Sequence, residues 1–252
     1  MQVGLIGSGN MASALARGWG DPILCTDVDF ARAEALAAEV GGEAVASNAE
    51  LARRADVVFL CHKPDQLDEV AGEVADGTTP IVSILGATPL SALQAAYPGQ
   101  PVFRLMPNVA VEVGRGVICM VEPKGVDPEL AAEVLVLLER IATVVKLRDG
   151  QIDAATAAMG VGPAYVALLV EAQVDAIVRL GIPAHVADEL VTETMAGTLD
   201  LLAERDGDTL AVRRAVTSPG GSTARGLAAL DAHGLRTAFQ AAADAVVFGG
   251  RR

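Results

Sequence analysis

Six residues near the amino terminus, Gly7-Ser8-Gly9-Asn10-Met11-Ala12, fit the pattern G-x-G-x-x-A. They follow a short apolar run, Val3 to Ile6, and open a helical pattern, Met11 to Trp19. At such a strand-to-helix turn, Gly7 permits the tight bend and Gly9 lets the backbone approach a bound group. Ala12 lets the helix pack closely on the strand. The helix start presents N–H groups and a partial positive charge, which suits the pyrophosphate of a dinucleotide. Asp27 stands 20 residues after Gly7, at the end of the next strand-like run. A carboxylate there bonds the ribose 2′-hydroxyl of NAD and repels the extra phosphate of NADP. The alternative is a turn or helix cap, shared with Asp29. Arg32 offers a phosphate partner if its side chain folds back.

Further candidates stand at the ends of later strand-like runs. Cys61-His62-Lys63-Pro64 stands at the end of the run 57–61. In a parallel sheet the carboxyl ends of strands line the cofactor crevice. Lys63 brings a positive charge there, and Pro64 opens a helical turn. Ser83-Ile84-Leu85-Gly86-Ala87 and Arg104-Leu105-Met106-Pro107-Asn108 end the next two runs. Asn108 suits either a bond to the nicotinamide amide or ribose, or a turn. In the second half, Gly162-Pro163-Ala164 and Ser218-Pro219-Gly220-Gly221-Ser222-Thr223 each precede a helix. Two such helix starts could cradle a carboxylate or serve as plain helix starts.

The elements that must position these residues fall into two groups. Up to about residue 148, strand-like runs alternate with helical ones: 3–6, 23–26, 57–61, 81–85, 102–105, 117–121 and 144–147, against 11–19, 30–40, 66–74, 89–96 and 128–141. This alternation predicts an α/β fold, a Rossmann-type domain over residues 1–148 with a parallel sheet covered on both faces. From 149 to 252 the segments become long and alanine-rich with helical periodicity, which predicts an all-α domain. The helix over 165–180 carries Glu171, Asp175 and Arg179 as one polar stripe. So much apolar surface in about 100 residues predicts a homodimer interface.

Composition excludes several classes. Apolar residues make up 52% of the 252, which is not a disordered profile. The net charge of -13 with only 19 Lys and Arg argues against nucleic-acid binding. Arg213-Arg214 and Arg251-Arg252 are dense basic spots and read as solvated surface. Cys25, Cys61 and Cys119 lie inside apolar runs and read as buried free thiols, neither a disulfide framework nor a metal site. The start reads as no signal peptide, and charges or polar breaks interrupt every long apolar stretch, so neither a membrane span nor a location outside the cytoplasm is expected.

Taken in order, the motifs resemble those of the pyrroline-5-carboxylate reductase family over nearly the whole chain. The family's G-x-G-x-M-A is Gly7 to Ala12, its lysine–proline pair is Lys63-Pro64, and its S-I-x-A-G is loosely matched by Ser83 to Ala87. Its R-x-M-P-N is Arg104 to Asn108, and its D-A-x-T-A is Asp153 to Ala157. G-P-A-Y is Gly162 to Tyr165, and T-S-P-G-G-x-T is Thr217 to Thr223. The resemblance implies reduction of a cyclic imine carboxylate, 1-pyrroline-5-carboxylate, to L-proline with NADH or NADPH, and Asp27 leans the choice toward NADH. It implies a homodimer through the helical domain, with rings of dimers known in the family. Carried onto this chain, Thr223 and Lys63 hold the catalytic places, Thr223 on the ring nitrogen. Gly162, Pro163, Ala164, Ser218, Gly220, Gly221, Ser222 and Thr223 hold the substrate. Gly7, Ser8, Gly9, Asn10, Met11, Asp27, Cys61, His62, Lys63, Pro64 and Asn108 hold the cofactor.

The chain departs from the family pattern at two places. Met159 and Val161 replace the two serines of S-G-S-G-P-A-Y, and Val109-Ala110 stand where the family favours T-P. Loss of these hydroxyls leaves an alternative open: a reductase of another small cyclic imine or acid, or a weakly active or inactive dinucleotide-binding paralogue. A β-hydroxyacid dehydrogenase fits poorly, because no lysine follows Lys146.

Overall fold

The computed structural model describes residues 1–74, 77–123 and 125–249; the Arg251-Arg252 pair lies outside the described residues. The chain divides into two compact units, Met1–Pro163 and the residues from Ala164 onward.

The first unit alternates strands and helices. They are β1 (Val3–Ile6), α1 (Asn10–Trp19), β2 (Leu24–Thr26), α2 (Phe30–Val40), β3 (Glu43–Ala44), α3 (Asn48–Arg54), β4 (Val57–Leu60), α4 (Leu67–Val74), β5 (Ile81–Ser83), α5 (Leu90–Ala96), β6 (Val102–Pro107), β7 (Gly116–Val121), α6 (Pro128–Glu139), β8 (Ala142–Leu147) and α7 (Ile152–Met159). The strands form one sheet in the order β3-β2-β1-β4-β5-β6-β7-β8. The reversal of direction across the sheet falls between β1 and β4, where an open α/β sheet leaves its ligand crevice. Strands β1 and β4 are buried at every position, as expected for a sheet covered on both faces. Two clusters pack the faces. Leu5, Leu15, Trp19, Phe59, Phe103 and Leu138 belong to one; Ile6, Leu51, Leu60, Val70, Leu93 and Tyr97 to the other. Trp19 meets Phe59 edge-on at 5.1 Å and donates its indole N–H to the Leu137 carbonyl at 3.0 Å. This bond ties α1 to α6 across one face of the sheet.

The sheet is not parallel throughout. Strand β7 runs antiparallel to β6, with Met106 opposite Cys119. The cause is the connection. Only residues 108–115 separate the two strands, and they hold a single 3-10 turn, Val109–Val113. A parallel crossover takes about a dozen residues or more. Helix α6 supplies one between β7 and β8, and that pair is parallel. The sequence reading also passes over β3 and α3. Helix α3 is short, and its start is the Ser47 hydroxyl accepting from the Glu50 N–H.

Two described non-glycine residues, Ala87 and Asp206, have a positive φ, and the first lies in this unit. Ala87, in the loop between β5 and α5, sits at φ 55°, while its neighbour Gly86 is not in the left-handed region. The left-handed conformation costs an alanine about 1–2 kcal/mol, partly offset in a glycine variant by the greater freedom of its unfolded chain. Ala87→Gly is therefore expected to stabilise the protein by about 0.5–1 kcal/mol, read from urea unfolding. A loss of stability would contradict this account of the loop.

The second unit is helical: α8 (Gly162–Val178), which starts at the end of the first unit, then α9 (Ala184–Ala203), α10 (Thr209–Ala215), α11 (Ser222–Ala232) and α12 (Leu235–Phe248). Tyr165 on α8 meets Phe239 on α12 edge-on at 6.2 Å. Among the described residues of this unit, only Ala187 and Val191 are buried. Leu168, Leu180 and Leu199 are each more than 60% exposed, a surface that a lone helical unit of this size leaves uncovered. Residues 149–178 are a run long and apolar enough by length and composition to cross a membrane, so the expectation that no such stretch exists was too strong. The run is interrupted between α7 and α8 at Gly160-Val161.

Candidate active site

The first unit holds a groove of about 400 Å³ at the carboxyl ends of β1, β2 and β4. Gly7, Gly9, Asp27, Cys61, His62 and Lys63 line it, as do Arg32, Asn48 and Glu73. Gly7 adopts φ +98°, and a Cβ there would meet the backbone of Cys61 and His62 at 2.8 Å. Only glycine lets β1 turn into α1 this close to the end of β4. Gly9 differs. It caps α1 in extended conformation with no side-chain bond, and a Cβ on it would meet only the Arg32 guanidinium, at 3.8 Å. The mouth of the helix is thus open, with first-turn N–H groups free of side-chain caps. The groove fits a dinucleotide: bare helix N–H groups for the pyrophosphate and a carboxylate one strand away for the ribose.

The Asp27 carboxylate is held in place. Its Oδ2 accepts from the Ser8 N–H at 2.7 Å and its Oδ1 from the Asp29 N–H at 3.0 Å. The turn-cap role and the groove role coincide, because each oxygen keeps further acceptor capacity. His62 places Nδ1 2.8 Å from the Lys63 carbonyl, and its Nε2 has no partner among the described residues. Burial pushes the His62 imidazole below its usual pKa, so it is neutral at neutral pH. Burial pushes the Cys61 thiol up to about 12, and those of Cys25 and Cys119 up as well, so none is a ready nucleophile.

The second unit carries the Ser218–Thr223 loop. Gly220 adopts φ +69°, and a Cβ on Gly221 would strike the Ser218 hydroxyl and carbonyl. Gly221 donates its N–H to the Ser218 carbonyl at 3.0 Å and caps α11 in extended conformation with no side-chain bond. Ser222 and Thr223 are the first residues of α11. Arg225 returns to the Gly220 carbonyl at 2.7 Å. The loop is a compact turn that bares a helix start. Gly162, Pro163 and Ala164 form the first turn of α8.

Comparison with known proteins gives a consistent answer. Residues 149–249 match the family model described as pyrroline-5-carboxylate reductase dimerisation, and residues 2–86 match one described as NADP oxidoreductase coenzyme F420-dependent. The chain is 33% identical to the pyrroline-5-carboxylate reductase of Synechocystis sp., over 95% of this chain and 93% of that one. The chain belongs to the pyrroline-5-carboxylate reductase family. The enzyme of that name from Pseudomonas aeruginosa is also 33% identical, over 97% of this chain and 93% of that one. Among solved structures, the reductase of Streptococcus pyogenes superimposes with a TM-score of 0.90 at 28% identity, covering 98% of this chain and 96% of that one. That of Plasmodium falciparum, solved with NADP bound, gives 0.88 at 25% identity, covering 98% and 95%. The Rossmann-type α/β first part and the helical remainder are thus the family's two regions.

Within this reductase fold, Ser8, Asn10, Met11, Pro64 and Asn108 do not line the groove with their side chains, while Asn10 and Met11 belong to the bare first turn of α1. Ser8 is buried, and its N–H already serves Asp27. Met11 packs on the core, and Pro64 opens a 3-10 turn. Asn108 is a brace: its Oδ1 accepts from the Val117 N–H, and its Nδ2 donates to the Met159 carbonyl, both at 3.1 Å. It fastens the β6–β7 turn to the end of α7. Met159 also packs beside Cys119, Val121 and Ile152. An apolar residue in the serine's place thus anchors α7 to the sheet. Among the lining residues that went unassigned in the sequence are Asn48, Gln66 and Glu73. All three lie on segments outside any motif, and only the fold brings them to the groove.

Proposed function

We propose that the protein reduces the ring imine of 1-pyrroline-5-carboxylate to L-proline. The observation that carries this reading is the match of both regions, end to end, to reductases of that name. It is supported by a groove shaped for a dinucleotide and by a loop that bares a helix start. The dinucleotide supplies the hydride. The chain's own task is to hold a protonated imine near it and to keep water out, which needs little acid–base machinery. Gly162 to Ala164 and Ser218 to Thr223 offer backbone N–H groups to the substrate carboxylate. The Thr223 hydroxyl has no partner among the described residues and is assigned to the ring nitrogen. Lys63 contributes a cation at the cofactor end rather than a proton at the imine.

The preferred dinucleotide is NADH. The Asp27 carboxylate, fixed by two backbone N–H groups, stands where a ribose 2′-hydroxyl is welcome and a 2′-phosphate is repelled. Arg32 and Lys63 oppose it from the same groove, so the preference is one of degree. The working form is a homodimer through the helical region. In support, only two of that unit's described side chains are buried, and the family model that matches it is described as dimerisation. The apolar run over 149–178 is then subunit-packing surface rather than a membrane span. A reaction that consumes a reduced dinucleotide suits the cytoplasm.

The test is oxidation of NADH and of NADPH, separately, with pyrroline-5-carboxylate. Turnover with a higher kcat/KM for NADH is expected; no turnover with either overturns the reading. Thr223→Ala is expected to lower kcat about tenfold, the loss of one hydrogen bond made in the transition state, with NADH affinity unchanged. Equal losses in kcat and NADH affinity would remove Thr223 from its assigned place.

A further inference from the structure

The groove has a second carboxylate. Glu73, on α4, lines it together with Asp27. Its position is fixed by a short relay. The Thr26 hydroxyl donates to Asn48 Oδ1 at 2.5 Å, and Asn48 Nδ2 donates to Glu73 Oε2 at 2.6 Å. Thr26 is buried at the end of β2, directly before Asp27. The relay therefore runs from the strand end that carries Asp27, through the first residue of α3, to the last turn of α4. It leaves the Asn48 amide one productive orientation, oxygen toward the hydroxyl and nitrogen toward the carboxylate. Glu73 can leave the groove wall only by giving up a charge-assisted hydrogen bond.

The balance of charge around the groove gives this placement a consequence. Arg32 and Lys63 are its cations, and Asp27 and Glu73 its anions. His62, kept neutral by burial, adds no charge at neutral pH. With Glu73 the signs cancel; without it the cations would outnumber Asp27. An added 2′-phosphate, carrying close to two negative charges, meets a neutral wall in the first case and a positive one in the second. The 2′-hydroxyl of NADH is indifferent to that difference.

We propose that Glu73 is a second determinant of dinucleotide choice, a carboxylate pinned by Thr26 and Asn48 that disfavours a 2′-phosphate. The inference rests on the reading of the groove as the adenosine end of a dinucleotide site. It adds a specificity residue outside the strand-end position where such selection is usually sought. Because the Glu73 carboxylate is exposed, its influence is felt through water and is screened by salt.

The experiment is direct titration of the intact protein with NADH and with NADPH, followed by nicotinamide fluorescence, for the parent, Glu73→Gln and Asp27→Asn. Glutamine keeps an acceptor oxygen for Asn48 and the same length, so only the charge is removed. Glu73→Gln is expected to improve NADPH binding relative to NADH about fivefold, through loss of one like-charge interaction across the groove. The gain is expected to shrink as ionic strength rises from about 50 mM to about 500 mM. A ratio unchanged within twofold, or an equal gain for both dinucleotides, overturns the proposal. So does a gain that salt does not reduce, since that marks a structural effect. A parent that binds NADPH more tightly than NADH overturns the NADH preference, whereas the change in ratio on Glu73→Gln still decides the role of Glu73. If Asp27→Asn moves the ratio and Glu73→Gln does not, selection belongs to Asp27 alone.

Discussion

Gly9→Leu is expected to weaken NADH binding at least a hundredfold while leaving the fold intact, and Gly7→Ala to do the reverse of the second part. The two glycines belong to one motif, but the structure separates their duties. Gly9 sits at φ -78°, ψ -174°, a backbone conformation any residue adopts, and its absent side chain would project into open groove toward Arg32. A leucine there meets no protein backbone. It fills the space in front of the α1 N-terminus through which a pyrophosphate must reach the helix N–H groups. A hundredfold loss corresponds to about 2.7 kcal/mol, within what removal of such a charged contact costs. Gly7, by contrast, needs its positive φ and has the end of β4 at 2.8 Å from the position of a Cβ. Alanine there forces β1 and β4 apart at the crevice and is expected to lower stability by about 2 kcal/mol or more. Fluorescence titration with NADH and thermal melting of both variants separate the two effects. NADH affinity within tenfold of the parent in Gly9→Leu would falsify the assignment of the groove.

The contrast bears on what a sequence can disclose. Alternating apolar runs and a glycine turn are local signals, and they place β1, α1, β2, α2 and the crevice correctly. Reversal of β7 was legible in principle, since the eight residues between β6 and β7 hold no crossover helix. Helix α3 was legible too, through Ser47 followed by Glu50. Asn108 and Glu73 are a different case. An asparagine after a proline reads equally as ligand or brace. What settles Asn108 is the Met159 carbonyl, 51 residues away. Glu73 reads as a solvated helix face until Asn48, 25 residues earlier, is seen to hold it. Local pattern finds the positions where backbone must be bare. It does not find side chains whose partners arrive only with the tertiary fold. The helical unit shows the same limit: its periodicity gives the helices, but which apolar faces are covered depends on a partner surface outside the chain.

Asp149→Ala is expected to destabilise the protein by about 3 kcal/mol, the low end for breaking a buried ion pair. Arg104, in the middle of β6, is 4% exposed, and its guanidinium pairs with Asp149 Oδ1 at 2.5 Å. Asp149 Oδ1 also accepts the Leu90 N–H at the start of α5, at 3.2 Å. One carboxylate thus holds three segments: β6, the head of α5, and the turn that leads from β8 into α7. Arg104 also reaches the Asp149 carbonyl at 3.3 Å, while its Nε has no partner among the described residues. With the carboxylate gone, the guanidinium keeps its charge in a site that offers little else to balance it. Asp149 is itself about a third exposed, at 36%, so water softens the loss and the low end of the range applies. For a chain of this size that corresponds to a fall in melting temperature of about 6–12 °C. Arg104→Met combined with Asp149→Leu is expected to recover most of the loss, since it removes the stranded charge with its partner. A loss below about 1 kcal/mol in Asp149→Ala would mean that Arg104 finds water or another acceptor. Because α7 starts three residues beyond Asp149 and ends at the carbonyl held by Asn108, the single variant is also expected to loosen the approach to α8. The kcat for imine reduction is then expected to fall while dinucleotide affinity, which the proposed groove at β1 and β2 would set, stays at the parent value.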